Sequence, residues 1–139
     1  MSRQSGVVRW LKFNAVGSLG ILVQLGILAA LTWGAAVDYL LATALAVEAA
    51  IIHNFFWHER FTWRDRWSAG GSLGRFLRFN LTTGAFSILG NVVLMKVFTG
   101  ILDIPYLLAN GLSIATCSLV NFLVSDRFVF ASAKGRSAI

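Results

Sequence analysis

Residues Phe13 to Trp33 read FNAVGSLGILVQLGILAALTW, a run of 21 without one Asp, Glu, Lys or Arg. A spanning helix needs about 20 mostly apolar residues. A backbone in hydrocarbon must satisfy its own hydrogen bonds, so the run reads as a transmembrane α-helix. Three comparable runs follow, from about Tyr39 to Trp57, Phe79 to Phe98 and Tyr106 to Val124. The expected fold is all-α and integral to the membrane, with four transmembrane helices.

Composition agrees. Of 139 residues, 57% are hydrophobic and only 13% charged, where a soluble chain carries about 25% charged. Arg3, Arg9 and Lys12 precede the first run as a signal-peptide n-region would, but that run is too long for an h-region and further runs follow. The single cysteine, Cys117, lies inside the fourth run and excludes an intramolecular disulfide. His53 and His58 stand about one helical turn apart, with no carboxylate or thiol at a spacing that completes a metal site. No metal or cofactor is expected. Nor is catalysis: there is no nucleophile motif and no pair of carboxylates at helical spacing, and Gly70, Gly71 and Gly74 lack the strand and Lys of a phosphate-cradling loop.

The net charge of +6 opens nucleic acid, membrane surfaces and acidic ligands as partners. Placement excludes nucleic acid, because the basic residues border the apolar runs. The connection Gly34–Asp38 has Asp38 as its one charge, and Thr99–Pro105 has only Asp103. Arg3, Arg9 and Lys12 precede the first span. Arg60, Arg64, Arg66, Arg75 and Arg78 lie between the second and third, and Arg127, Lys134 and Arg136 follow the fourth. Lys96 alone among the twelve basic residues falls on the other side. The positive-inside rule makes the basic side cytoplasmic, with both termini there, as in a multi-pass protein of the cytoplasmic (inner) membrane. Trp10, Trp33, Tyr39, Trp57 and Tyr106 sit near span ends, where interfacial aromatics belong. Ala69, Gly70, Gly71 and Ser72 read as a flexible centre of the middle segment.

The chain also repeats itself. Arg9-Trp10-Leu11-Lys12-Phe13-Asn14 matches Arg75-Phe76-Leu77-Arg78-Phe79-Asn80 at four of six positions. After one inserted residue the match continues at an offset of 67, and nine of 25 positions between Tyr39 and Trp63 equal their partners. One domain over residues 1–139 is expected, with repeats at about 9–63 and 75–130 and a cytoplasmic linker at about 58–78. Each repeat holds two spans, so the repeats share one orientation and imply a two-fold axis along the membrane normal.

Helical spacing puts Gly17, Gly20 and Gln24 on one face of the first helix, and their partners Gly84, Ser87 and Asn91 on the third. Thr43, Ala46, Ala50 and Asn54 share a face of the second; Asn110, Ser113, Cys117 and Asn121 share that of the fourth. Small residues let helices approach, and amides hydrogen-bond across them, so these faces read as helix packing or as a polar route. Glu48, whose partner is Ala115, lies near the middle of the second span. An intramembrane carboxylate is a functional candidate by default, as a proton-coupled group, a cation partner or a hydrogen-bonded packing residue. Arg60 and Arg127 each follow an Asn-Phe pair at a helix end, and Arg9, Lys12, Arg75 and Arg78 flank the other helices on the same side. Such cations suit phosphate, which guanidinium groups grip through paired hydrogen bonds, or anionic membrane lipids.

The stretch Arg9 to Gly17, then Asn54-Phe55 to Arg60-Phe61-Thr62-Trp63, and again Asn121-Phe122 to Arg127-Phe128-Val129-Phe130, resembles the GtrA-like family. The resemblance covers Arg9 to Phe130. It implies a role in cell-surface polysaccharide assembly, moving a polyprenyl-phosphate-linked monosaccharide such as undecaprenyl-phosphate-glucose across the cytoplasmic membrane, beside a membrane glycosyltransferase. On this reading Arg60, Arg127, Arg9, Lys12, Arg75 and Arg78 engage the phosphate or lipid headgroup, and Gln24, Glu48, Asn54, Asn91 and Asn121 line a polar route. A narrow four-helix bundle also leaves room for a homo-oligomer. The family's domains are also fused to polyprenyl-phosphate sugar synthases, which implies an alternative role as a non-transporting scaffold for a glycosyltransferase. A further alternative is a small proton-coupled multidrug exporter using Glu48, against which the basic mouth argues.

Overall fold

The computed structural model describes residues 4–66 and 71–131. Arg3, Ala69, Gly70, Lys134 and Arg136, and the Tyr39 side chain, lie outside the described residues. The described chain is helical, with four helices long and apolar enough to cross a membrane: Gly6–Gly34, Leu40–Thr62, Ser72–Ile101 and Tyr106–Val129. It is a multi-pass membrane protein. The α-helical parts are α1 (Gly6–Ala29), α2 (Tyr39–Trp57), α3 (Ser72–Met95) and α4 (Tyr106–Val124). Each continues into a π-helical turn: Ala30–Gly34, His58–Thr62, Lys96–Ile101 and Ser125–Val129.

The apolar runs and the helices coincide at Tyr39–Trp57 and Tyr106–Val124. By contrast, α1 and α3 begin seven residues before the apolar runs at Phe13 and Phe79. Hydropathy marks where hydrocarbon ends, whereas a helix continues while its residues favour helix and its start is capped. The Ser5 hydroxyl accepts from the Val8 amide at 3.3 Å, and Gly71, at φ 76°, opens α3. Most of the 58–78 segment expected as linker is therefore helical, including Arg75 and Arg78 on α3 and a short 3₁₀ turn at Arg64–Arg66.

The chain divides into two compact units, Met1–Trp67 and Ser68–Ile139. The first unit is the hairpin of α1 and α2, the second the hairpin of α3 and α4. The turns opposite the basic ends are built alike. In the first, Val37 N donates to Leu31 O at 2.9 Å and Ala36 adopts φ 51°; in the second, Ile104 N donates to Phe98 O at 2.8 Å and Asp103 adopts φ 51°. Such a left-handed residue after the helix lets the chain reverse while satisfying the last carbonyls. Asp38, the one charge of its connection, caps α2 by accepting from Leu40 N and Leu41 N at 3.1 and 3.3 Å.

Each hairpin has a seam of small residues and an aromatic base. Ala42, Ala46 and Ala50 are buried along α2, and Ala109, Ser113 and Cys117 along α4. The four-residue spacing keeps each set on one helix face. At the basic end of the first hairpin, Phe13 stacks on His58 at 4.7 Å and meets Trp63 edge-on at 6.1 Å. The second hairpin pairs Phe79 with Phe130 at the same 6.1 Å. Large apolar side chains such as Leu22, Leu40, Leu81 and Leu107 point outward, as they must when the solvent is lipid.

Candidate functional site

The expected headgroup-binding cations fall into two sets of three, one at the basic end of each hairpin. In the first hairpin they are engaged within the protein. Arg9 is buried, and its Nη2 donates to Asp65 Oδ2 at 2.9 Å and to Gln4 O at 3.3 Å. Lys12 Nζ donates to Gln4 Oε1 at 3.1 Å and to Phe61 O at 3.4 Å, and lies 4.6 Å from the centre of the Phe61 ring. Arg60 is exposed, with its guanidinium carbon 4.1 Å from the centre of the Phe56 ring. A cation over a ring face is held by the ring's quadrupole.

In the second hairpin Arg75 is likewise buried and engaged within the protein, beside the Gly71 turn. Arg78 and Arg127 are exposed. Offset 67 puts Leu123 where Phe56 stands, so the ring that carries Arg60 has no counterpart beside Arg127.

The polar seam is partly assembled. In the first hairpin Gly20 is buried against Asn54: a Cβ built on Gly20 would overlap that amide. Asn54 Oδ1 lies 3.2 Å from His53 Nδ1. Gln24 is half-buried one turn along α1 from Gly20. In the second hairpin Asn121 Nδ2 donates to Ser87 Oγ at 3.0 Å. Gly20 and Ser87 are repeat partners, as are Asn54 and Asn121, so one contact is made twice, once with a glycine and once with a serine. Asn91 instead donates to the Ser87 carbonyl of its own helix at 2.8 Å.

Glu48 does not join this seam. It is half-buried two residues from both Ala46 and Ala50, which at about 100° per residue puts it on the far side of α2. Asn110 is exposed, whereas Ser113 and Cys117 on α4 are buried. His58, 1% exposed, is taken up as a ring between Phe13 and Trp63, with Nδ1 3.0 Å from Thr62 Oγ1.

Sequence reading missed Asp65 and Thr83. Asp65 is 56 positions from Arg9, and only the arrival of the Arg64–Arg66 turn at the hairpin base joins them. Thr83 is legible only against its partner Val16: it is a hydroxyl where the first repeat has an apolar residue.

A family model described as GtrA/DPMS, transmembrane domain, matches residues 12–135. A protein of Pyrococcus furiosus named dolichol-phosphate mannosyltransferase is 28% identical over 135 residues, covering 95% of this chain and 36% of that protein. The chain thus spans about a third of that relative's length.

Proposed function

The chain belongs to the GtrA/DPMS transmembrane-domain family, and from that premise we propose that it carries a polyprenyl-phosphate-linked monosaccharide across the cytoplasmic membrane, without chemistry of its own. The observation that supports this most is the joint placement of cations and amides. Exposed Arg60, Arg78 and Arg127 stand at the basic ends of hairpins whose seams contain Asn54 and Asn121. A phosphate needs cations of this kind and a sugar needs amides of this kind, and both kinds stand together in the second hairpin as Arg127 and Asn121. On this reading the basic ends and both termini face the cytoplasm, where the lipid-linked sugar is made, and a glycosyltransferase acts beside the protein.

A second reading has one observation in its favour. The chain matches 36% of a protein named for mannosyl transfer, which supports a role as a membrane scaffold for a glycosyltransferase. A scaffold of that kind needs the basic surface but not the seam amides.

Reconstituted vesicles test the first reading. With polyprenyl-phosphate-glucose in both leaflets and a sealed-out probe, exchange between leaflets is expected to depend on the protein. Folded protein that leaves exchange at the level of empty vesicles would move the assignment to the scaffold.

A further inference from the structure

The two hairpins match in sequence but differ in how their polar atoms are used. Hydroxyls on these helices, among them Ser18, Thr32, Thr82, Thr99 and Thr116, donate to the carbonyl four residues earlier at 2.6 to 2.9 Å. That back-bond satisfies a hydroxyl where neither water nor another side chain is at hand. Thr83 and Ser113 depart from it. Their hydroxyl oxygens are covered and have no hydrogen-bond partner among the described residues, and Ser113 is 0% exposed. Asn121 uses its amide nitrogen on Ser87, yet its Oδ1 is likewise covered and unpartnered.

At the corresponding places the first hairpin has Val16, Gly20 and Ala46 instead of Thr83, Ser87 and Ser113. None of the three has a polar side-chain atom. Covering polar atoms without partners is destabilising. The second hairpin bears that cost along its seam, whereas in the first the covered atoms without a hydrogen bond among the described residues, Arg9 Nε and Asp65 Oδ1, lie at the basic end. Among the cations, Arg75 is buried and engaged like Arg9, and the difference lies at Arg60 and Arg127. Arg9 is bonded to Asp65, Lys12 to Gln4, and Arg60 sits over Phe56. Arg127 has Leu123 in place of that ring.

We infer that the hairpins divide the work: the second engages the lipid-linked sugar and the first is a packed anchor. This rests on the function proposed above. Sugar hydroxyls complete the hydrogen bonding of Thr83 and Asn121 as the seam opens around them, and Arg127 holds the phosphate. Ser113 lies eight residues from Asn121 on α4, about 12 Å farther from the basic end at 1.5 Å per residue. It is a later station on the route rather than part of the same contact.

The test uses the full chain in nanodiscs, titrated with polyprenyl-phosphate-glucose and with polyprenyl phosphate lacking the sugar. In the variant Thr83→Val/Ser113→Ala each new residue is the one already present in the first hairpin. Wild type is expected to prefer the sugar-bearing lipid by about tenfold, a difference of about 1.4 kcal/mol. The double variant should lose that preference while its Tm stays level or rises. Arg127→Ala should weaken both lipids about tenfold, and Arg60→Ala less than about threefold. A preference that survives Thr83→Val/Ser113→Ala would overturn the inference, since water or nothing then occupies the seam. So would a fall in Tm, which makes the hydroxyls packing groups, or equal losses from Arg60→Ala and Arg127→Ala. Binding of neither lipid by wild type would overturn the proposed function along with the division of labour.

Discussion

Arg9 and Asp65, 56 positions apart, form an ion pair of 2.9 Å whose side chains are 5% and 13% exposed. The pair ties the start of α1 to the turn that follows α2, closing the first hairpin at its basic end. A buried pair adds little net stability over an apolar pair, but removing one partner strands the other charge. Asp65→Ala is therefore expected to destabilise by about 3 kcal/mol, while Arg9→Met/Asp65→Leu recovers most of that loss. Chemical unfolding in detergent, run as a double-mutant cycle, measures both. Equal losses in the single and double variants would refute the coupling.

The contact of Gly20 with Asn54 separates two glycines that look alike in the sequence. Gly17 and Gly20 share a helix face, yet a Cβ at Gly17 meets nothing within 4 Å, while one at Gly20 overlaps the Asn54 amide. Gly20→Ala should cost about 1–3 kcal/mol as an overpacked seam. Gly17→Ala should be neutral or slightly stabilising, through its higher helix propensity. Adding Asn54→Ala to Gly20→Ala should recover part of the cost. Thermal melts of the three variants check the order.

The turn opposite the basic end of the first hairpin holds Ala36 at φ 51°. A left-handed backbone costs an L-residue with a Cβ about 1–2 kcal/mol, less for Asp. Ala36→Gly should therefore raise stability by about 1 kcal/mol, and Asp103→Gly, at the same φ of 51°, by less. A lower Tm for Ala36→Gly would contradict the strain.

Trp63 is 1% exposed, and its ring meets both Phe13 and His58 at the basic end of the first hairpin. Trp63→Ala should cost about 3–5 kcal/mol. Trp63→Phe, which copies Phe130 of the second repeat, should cost much less. Tryptophan fluorescence and thermal melts of the two variants test whether the base is an aromatic cluster or only filled volume.

Much of this was open to sequence reading because the bilayer imposes simple rules. Runs such as Tyr39–Trp57 must be helical, and α2 and α4 take the bounds that hydropathy gives. The internal match placed Asn54 with Asn121 and Gly20 with Ser87, and the hairpins make both contacts. What hydropathy could not show was where α1 and α3 begin, since Gly6 and Ser72 lie outside the apolar runs. Nor could it sort the cations. Arg9, Arg60 and Arg127 look equivalent along the chain, but a carboxylate 56 residues away from Arg9 and a ring one turn before Arg60 set them apart. Glu48 drew attention by its charge, and only helical phase shows that it leaves the seam face of α2.

The central claim is carriage of a lipid-linked sugar, and it is tested most directly by following two lipids in one vesicle population. Polyprenyl-phosphate-glucose and phosphatidylglycerol, each with its own outer-leaflet probe, would be reconstituted with the wild-type chain. The account predicts that the sugar-bearing lipid changes leaflet at least about tenfold faster than phosphatidylglycerol, in proportion to protein, because the seam recognises the sugar and a cation alone does not. Equal rates for the two lipids, or no rate above empty vesicles from folded protein, would contradict it.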